Sequence, residues 1–123
     1  MIVSPKEVLD FWFEECEPSD WFKKSEAFDA EIRTRFLETY EAIVSGDTAE
    51  WRKSAQGRLA EIIVLDQFAR NMFRDDAKAF AADELAVELA KEALPYWDEF
   101  SIQERSFVVM PFMHSESLAV HDW

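Results

Sequence analysis

Asp66, Gln67, Arg70, Asn71 and Arg74 crowd into LDQFARNMFR, residues 65–74, at the end of the most apolar stretch of the chain. At 3.6 residues per turn, Asp66 and Arg70 share a helix edge with Leu59 and Ile63. Gln67, Asn71 and Arg74 share the adjacent edge, while Leu65, Phe68, Ala69 and Met72 face away. A solvated face would be polar along its whole length; this strip instead continues a half-helix that is apolar almost all round. Two guanidiniums one turn apart suit bidentate capture of a carboxylate or phosphate, with Asp66 orienting one of them. A second polar cluster, His114, Ser115 and Glu116, follows Pro111. Histidine is the acid–base side chain of neutral pH, and Glu116 is a candidate to set its tautomer.

The same residues also read as a brace. Asp66 and Arg70 stand at i,i+4 with the acid first, the favourable order for a helix ion pair worth ~0.3–0.5 kcal/mol when exposed. Arg74 falls near the helix C-terminus, where a cation is favoured, and Gln67 and Asn71 can bind backbone of a neighbouring loop. The partners of the arginines separate the two readings. A ligand site requires Arg70 or Arg74 in one concavity with His114 and with donors left over; a brace has Asp66 and nearby carbonyls satisfying both.

Other chemistries lack their residues. His114 and His121 are seven apart, and Glu116 is two from His114, spacings that no helical metal motif uses. There is no phosphate-binding glycine loop, no G-x-S-x-G and no Cys–His nucleophile context. The expectation is no metal and no cofactor.

The elements that must position these side chains are helical. Ser4-Pro5-Lys6-Glu7 reads as a capping box with proline in the first turn, opening a helix that carries Val8, Leu9, Phe11, Trp12 and Phe13. Glu14 to Asp20 reads as a loop, and Trp21-Phe22 as a turn packed on that helix; these aromatics are core, or alternatively a pocket wall or dimer face. Ser25 caps a second helix with a stripe of Phe28, Ile32, Phe36, Tyr40 and Ile43 or Val44, ended by Gly46. Thr48 is expected to cap a further turn with Trp51 turned inward, and Gly57 to precede a central helix over 58–73. A helix after Asp76 places Ala79, Phe80, Asp83, Ala86, Val87, Ala90 and Ala93 inward and stops at Pro95. Ser101 to Glu104 is a second capping box; Pro111 is expected to break its helix, and Ser115 to cap a last one with Leu118, Val120 and Trp123.

Composition and the helix signals support one all-α domain over residues 1–123, of about six or seven helices. With 49% hydrophobic residues, 11 Phe and 5 Trp, core material is plentiful, and 2 Gly leave little for hairpin turns. The net charge of −13 opposes nucleic acid and anionic membranes alike. A lone Cys16 removes disulfides and cysteine zinc sites, and the N-terminus lacks a secretory apolar region, so the cytoplasm is expected.

VLDFWF, WFKKSEAFDAEIRTRF, GRLAEIIVLDQFARNMFR, AFAAD and FVVMPFMHSE together resemble a bacterial family catalogued as domain of unknown function nine-two-four. The resemblance covers nearly the whole chain. It implies an all-helical fold, a tetratricopeptide-like antiparallel helical array, and no particular activity. It also implies a short member: the family continues past the MHSE segment with further helices and a His- and Arg-rich motif, whereas this chain ends seven residues after Glu116. Helix faces left uncovered by such a short chain favour self-association, and Trp123 reads as packing on a missing segment or a partner.

The sequence favours a helical-array protein-interaction module, self-associating as a homodimer or binding another protein. The alternative is a binding protein or enzyme for an anionic small molecule, built on Asp66, Gln67, Arg70, Asn71, Arg74, His114 and Glu116.

Overall fold

Ser4 opens the first helix as expected: its Oγ accepts from the Glu7 amide at 3.2 Å, with Pro5 in the first turn. A computed structural model of the chain describes residues 2–21 and 23–121, and the backbone alone for 115–121. Among the described residues there are five helices and no strand, so the fold is all-α, with a helix count close to the expected six or seven. Helix α1 spans 5–15, an α-helical turn Pro5–Leu9 running into a π-helical turn Asp10–Glu15. Helix α2 is Glu26–Val44, α3 spans 55–72, α4 is Asp83–Ala93 and α5 is Ile102–His121. Short 3-10 turns occupy the connections, at Pro18–Asp20, Ala49–Lys53, Ala77–Phe80 and Leu94–Glu99.

Local signals set most of these bounds. Ser25 Oγ accepts from the Phe28 amide, and Ile32, Phe36, Tyr40 and Ile43 are buried while Val44 faces out. Gly46, at φ 82, closes α2: its amide reaches the Ile43 carbonyl and that of Asp47 the Ala42 carbonyl, a Schellman closure. At the head of α5, Ser101 and Glu104 exchange bonds in a reciprocal capping box. Ala86, Ala90 and Ala93 are fully buried on α4, small enough to let α3 and α5 approach closely.

The structure corrects several expectations. The central helix begins at Ala55, capped by Ser54, and Gly57 is its third residue. A Cβ at Gly57 would lie 1.8 Å from the Trp51 carbonyl oxygen, so glycine is there for close approach rather than to precede the helix. Thr48 makes no side-chain cap; its hydroxyl donates to buried Glu61 at 2.8 Å instead. The Glu14–Asp20 loop is shorter than expected, because Asp10–Glu15 prolongs α1. Phe80 lies in the 3-10 turn before α4 and is 55% exposed, its ring 5.3 Å from the Arg70 guanidinium. Pro111 does not break α5. It removes one ladder bond, but buried Phe107, Val108 and Pro111 itself hold the helix to the core through that gap. Ser115 therefore falls inside α5 and starts no new helix. The readings for Phe22 and Trp123, and for the side chains of Ser115, Glu116, Leu118, Val120 and His121, lie outside the described residues.

Helix α3 packs against all four others and is almost wholly buried from Leu59 to Ala69. Trp12, Phe36 and Phe68 meet around it, with Phe68 centroids 5.4 Å from Trp12 and 4.7 Å from Phe36. Its middle, Val64–Phe68, is a π-helical turn in which the Ala69 amide reaches back to the Val64 carbonyl. Such a turn inserts a residue into the α-helical register and recurs at functional sites.

Replacing Gly57 by alanine normally favours a helix by about 1 kcal/mol. Here the clash with Trp51 is expected to reverse the sign, lowering stability by about 2 kcal/mol through overpacking. Urea unfolding of Gly57→Ala at unchanged m-value measures this, and a raised midpoint would contradict the close approach.

Candidate functional site

Asp66 is 1% exposed, and its carboxylate holds three neighbours. Gln67 Nε2 donates to Oδ2 at 2.9 Å, Arg70 Nη1 to Oδ1 at 2.9 Å, and His114 Nδ1 lies 2.8 Å from Oδ1. A carboxylate only accepts, so Nδ1 carries the imidazole proton and Nε2 is left to face other chemistry. Residues adjacent in an ordinary helix do not face one another; the π turn allows Gln67 to reach Asp66.

Arg70 continues outward to α4. Its Nη1 and Nη2 each donate at 3.1 Å to the Asp83 carboxylate, and Nη1 also donates to the Asp66 carbonyl at 3.0 Å. Arg74 turns the other way, to α2: Nε donates to Asp29 Oδ2 at 2.6 Å and Nη2 to Oδ1 at 3.1 Å. Asn71 Nδ2 donates to the same Asp29 Oδ1 at 2.8 Å. The hydrogen bond to Asp29 raises the Arg74 pKa, burial opposing it, and the guanidinium stays charged throughout the working range. Arg33 Nη1 reaches the Met72 carbonyl at 3.4 Å, in the last turn of α3.

These side chains border one concavity of about 210 Å3, lined by Trp21, Gln67, Arg70, Asn71, Arg74 and His114. Five of the seven residues singled out from sequence line it, Asp66 stands behind them, and the Glu116 side chain is outside the described residues. Trp21 is the pocket-wall alternative among the aromatics; it stacks on Trp12 at 5.7 Å and donates from Nε1 to the Trp12 carbonyl at 2.8 Å. Neither arginine is satisfied by Asp66 and carbonyls alone. Among the described residues, Arg70 Nε, Arg74 Nη1, His114 Nε2 and the amide oxygens of Gln67 and Asn71 have no hydrogen-bond partner. The arrangement can bind an anion through guanidinium edges and can accept or deliver a proton at His114 Nε2.

The sequence matches, over residues 8–123, the family described as "Bacterial protein of unknown function (DUF924)". The chain belongs to this family. A solved protein of unknown function from Agrobacterium tumefaciens is 35% identical and superposes with a TM-score of 0.85. The match covers 89% of the present chain and 63% of that protein, so this DUF924 chain spans less than two thirds of its length. No curated protein matches.

Two partners in the DUF924 site escaped the sequence reading. Asp29, an acid in the first turn of α2, was not singled out, and Asp83 was placed inward without a partner. A second buried carboxylate, Glu61, was also missed; it accepts from Thr48 and from Arg52 Nε at 3.0 Å. Its signal was an acid inside the run AEIIVL. Among the described residues, no group of three or more His, Cys, Asp or Glu could hold a metal, and no helix is long and apolar enough to cross a membrane. The Cys16 thiol is pushed up to about 12 by burial, with Asp20, Glu15 and Glu31 adding to it.

Asp66→Asn removes the charge that Arg70 and His114 share and is expected to cost about 3 kcal/mol, the cost of breaking a buried pair. Chemical denaturation measures it; a loss below 1 kcal/mol would remove Asp66 from the centre of the network. Cys16 gives a separate pH test. Its raised value favours the neutral thiol of the folded state, so this stabilisation is complete below the ordinary value of 9.0 and fades as pH rises from there toward about 12. Alkylation by iodoacetamide at pH 8.5 should accordingly be slow in the native protein and fast in urea.

Proposed function

We propose that the concavity formed by Arg70, Arg74 and His114 binds a compact small molecule through a carboxylate or phosphate group. The observation that carries this is convergence: side chains from α3, from the turn just after it and from α5 meet in one hollow with guanidinium and imidazole nitrogens left over. At about 210 Å3 the hollow is below the ~300–1,000 Å3 of sites for drug-sized ligands, which sets the size of the occupant. The buried Asp66 supports the reading by holding Arg70 and His114 at the hollow, and the π turn does so because such turns recur at functional sites. Asp66 fixes the His114 tautomer, and a bound molecule with a dissociable proton would meet His114 Nε2 as its base.

The interaction-module reading rests on a different surface. Ile102 is 85% exposed at the head of α5 and Met113 is exposed further along it, an apolar edge that a tetratricopeptide-like array could offer a second copy. A cytoplasmic setting without nucleic-acid partners fits the charge of −13.

A thermal-shift series with short carboxylates from acetate to hexanoate, succinate and inorganic phosphate tests the ligand reading. A ligand at ~100 times its Kd adds ~2.7 kcal/mol of stability, and Arg74→Ala should abolish that gain. No stabilisation by any of them at millimolar concentration would overturn it. For the interaction reading, light scattering should find a dimer that Ile102→Glu disperses; a monomer at high concentration counts against it.

A further inference from the structure

Gln67 and Asn71 are 6% and 5% exposed, and in each the amide nitrogen is already committed. Gln67 Nε2 donates to Asp66 and Asn71 Nδ2 to Asp29; a carboxylate only accepts, so these bonds fix which way each amide points. Their carbonyl oxygens are left over, and among the described residues neither has a partner. Among the same residues, the unpartnered buried side-chain atoms closed to solvent are Trp12 Nε1 and Arg58 Nε; the two amide oxygens are not among them and stay open to the space their residues line. That space is the hollow of Arg70, Arg74 and His114. His114 Nε2, with the ring proton at Nδ1, is a third acceptor there. Trp21 gives its indole N–H to the Trp12 carbonyl and offers the hollow only its ring. A plain carboxylate answers the guanidiniums and has no donor for any of these acceptors.

We infer that the occupant is a small hydroxy acid, its carboxylate on Arg70 and Arg74 and a hydroxyl donating to the Gln67 or Asn71 carbonyl oxygen. This rests on the ligand reading of the hollow and names its substrate class. A hydroxyl is the donor that fits, because an ammonium would stand beside two guanidiniums whose acids, Asp66, Asp83 and Asp29, are already engaged. The hollow of about 210 Å3 is roughly seven times the ~30 Å3 share of a liquid water, room for an acid of about three or four carbons. Selection follows from the same layout, since an analogue without the hydroxyl leaves the site's buried acceptors unpaired. A keto acid of equal size does worse, setting its own carbonyl oxygen against the amide oxygens.

Calorimetry on the full chain with acids of one length tests this: propionate, pyruvate, lactate, 3-hydroxypropionate and glycerate. Glycerate, together with whichever single hydroxyl matches the acceptors, should bind about tenfold tighter than propionate, and pyruvate no tighter than propionate. Gln67→Met and Asn71→Leu each remove one acceptor, while Asp66 keeps Arg70 and His114 and Asp29 keeps Arg74. The ratio of glycerate to propionate affinity should collapse in at least one of them. If either variant fails to fold, the order among the five acids on the unaltered chain decides alone. If propionate binds and no hydroxy acid reaches that margin, the inference falls and the anion site stands. It falls equally if pyruvate matches the tightest hydroxy acid, or if the ratio survives in both variants. If none of the five binds, both readings fall.

Discussion

A carboxylate taken out of water must be held by donors, and Asp66 is nearly fully buried in the helix that touches every other helix of the chain. Its negative charge is what draws Arg70 inward, fixes the face of His114 and turns the Gln67 amide back along its own helix. Arg70 then binds α4 through Asp83, and the next turn repeats the device toward α2 with Arg74 and Asp29. An apolar core alone is non-directional. These charged pairs add the angular information, because a bidentate guanidinium accepts few arrangements of its partner.

The helix starts and stops were legible because their causes are local. Serine caps at Ser4, Ser25 and Ser101, and the left-handed glycine after α2, depend on residues within a few positions. The Phe28–Ile43 stripe was legible for the same reason. What failed to show in the sequence depends on distance. Thr48 has the composition of a cap, and only the approach of Glu61 reveals that its hydroxyl is used elsewhere. Asp29 is an ordinary first-turn acid until Asn71 and Arg74 arrive from a helix more than forty residues on. Pro111 carries a strong local signal to stop, overridden by its own burial and that of Phe107 and Val108 one turn before it.

The candidate site was readable as a strip but not as a hollow. Periodicity put Asp66, Gln67, Arg70, Asn71 and Arg74 together without the π turn that shifts their register. The strip also turned out to be both things at once. Its inner donors hold three helices together, while its outer nitrogens border a cavity, so brace and site are successive layers of the same side chains.

Pro111 adds a consequence for motion. The residue supplies no amide to the Phe107 carbonyl, so the ladder of α5 lacks a rung between the part buried with Phe107 and Val108 and the part bearing His114. Native-state opening follows such weak points, and the segment beyond a missing rung can exchange its amides without global unfolding. The imidazole that completes the concavity lies beyond that missing rung, on the other side of it from the buried Phe107 and Val108, and its bond to Asp66 ties this part of α5 to α3.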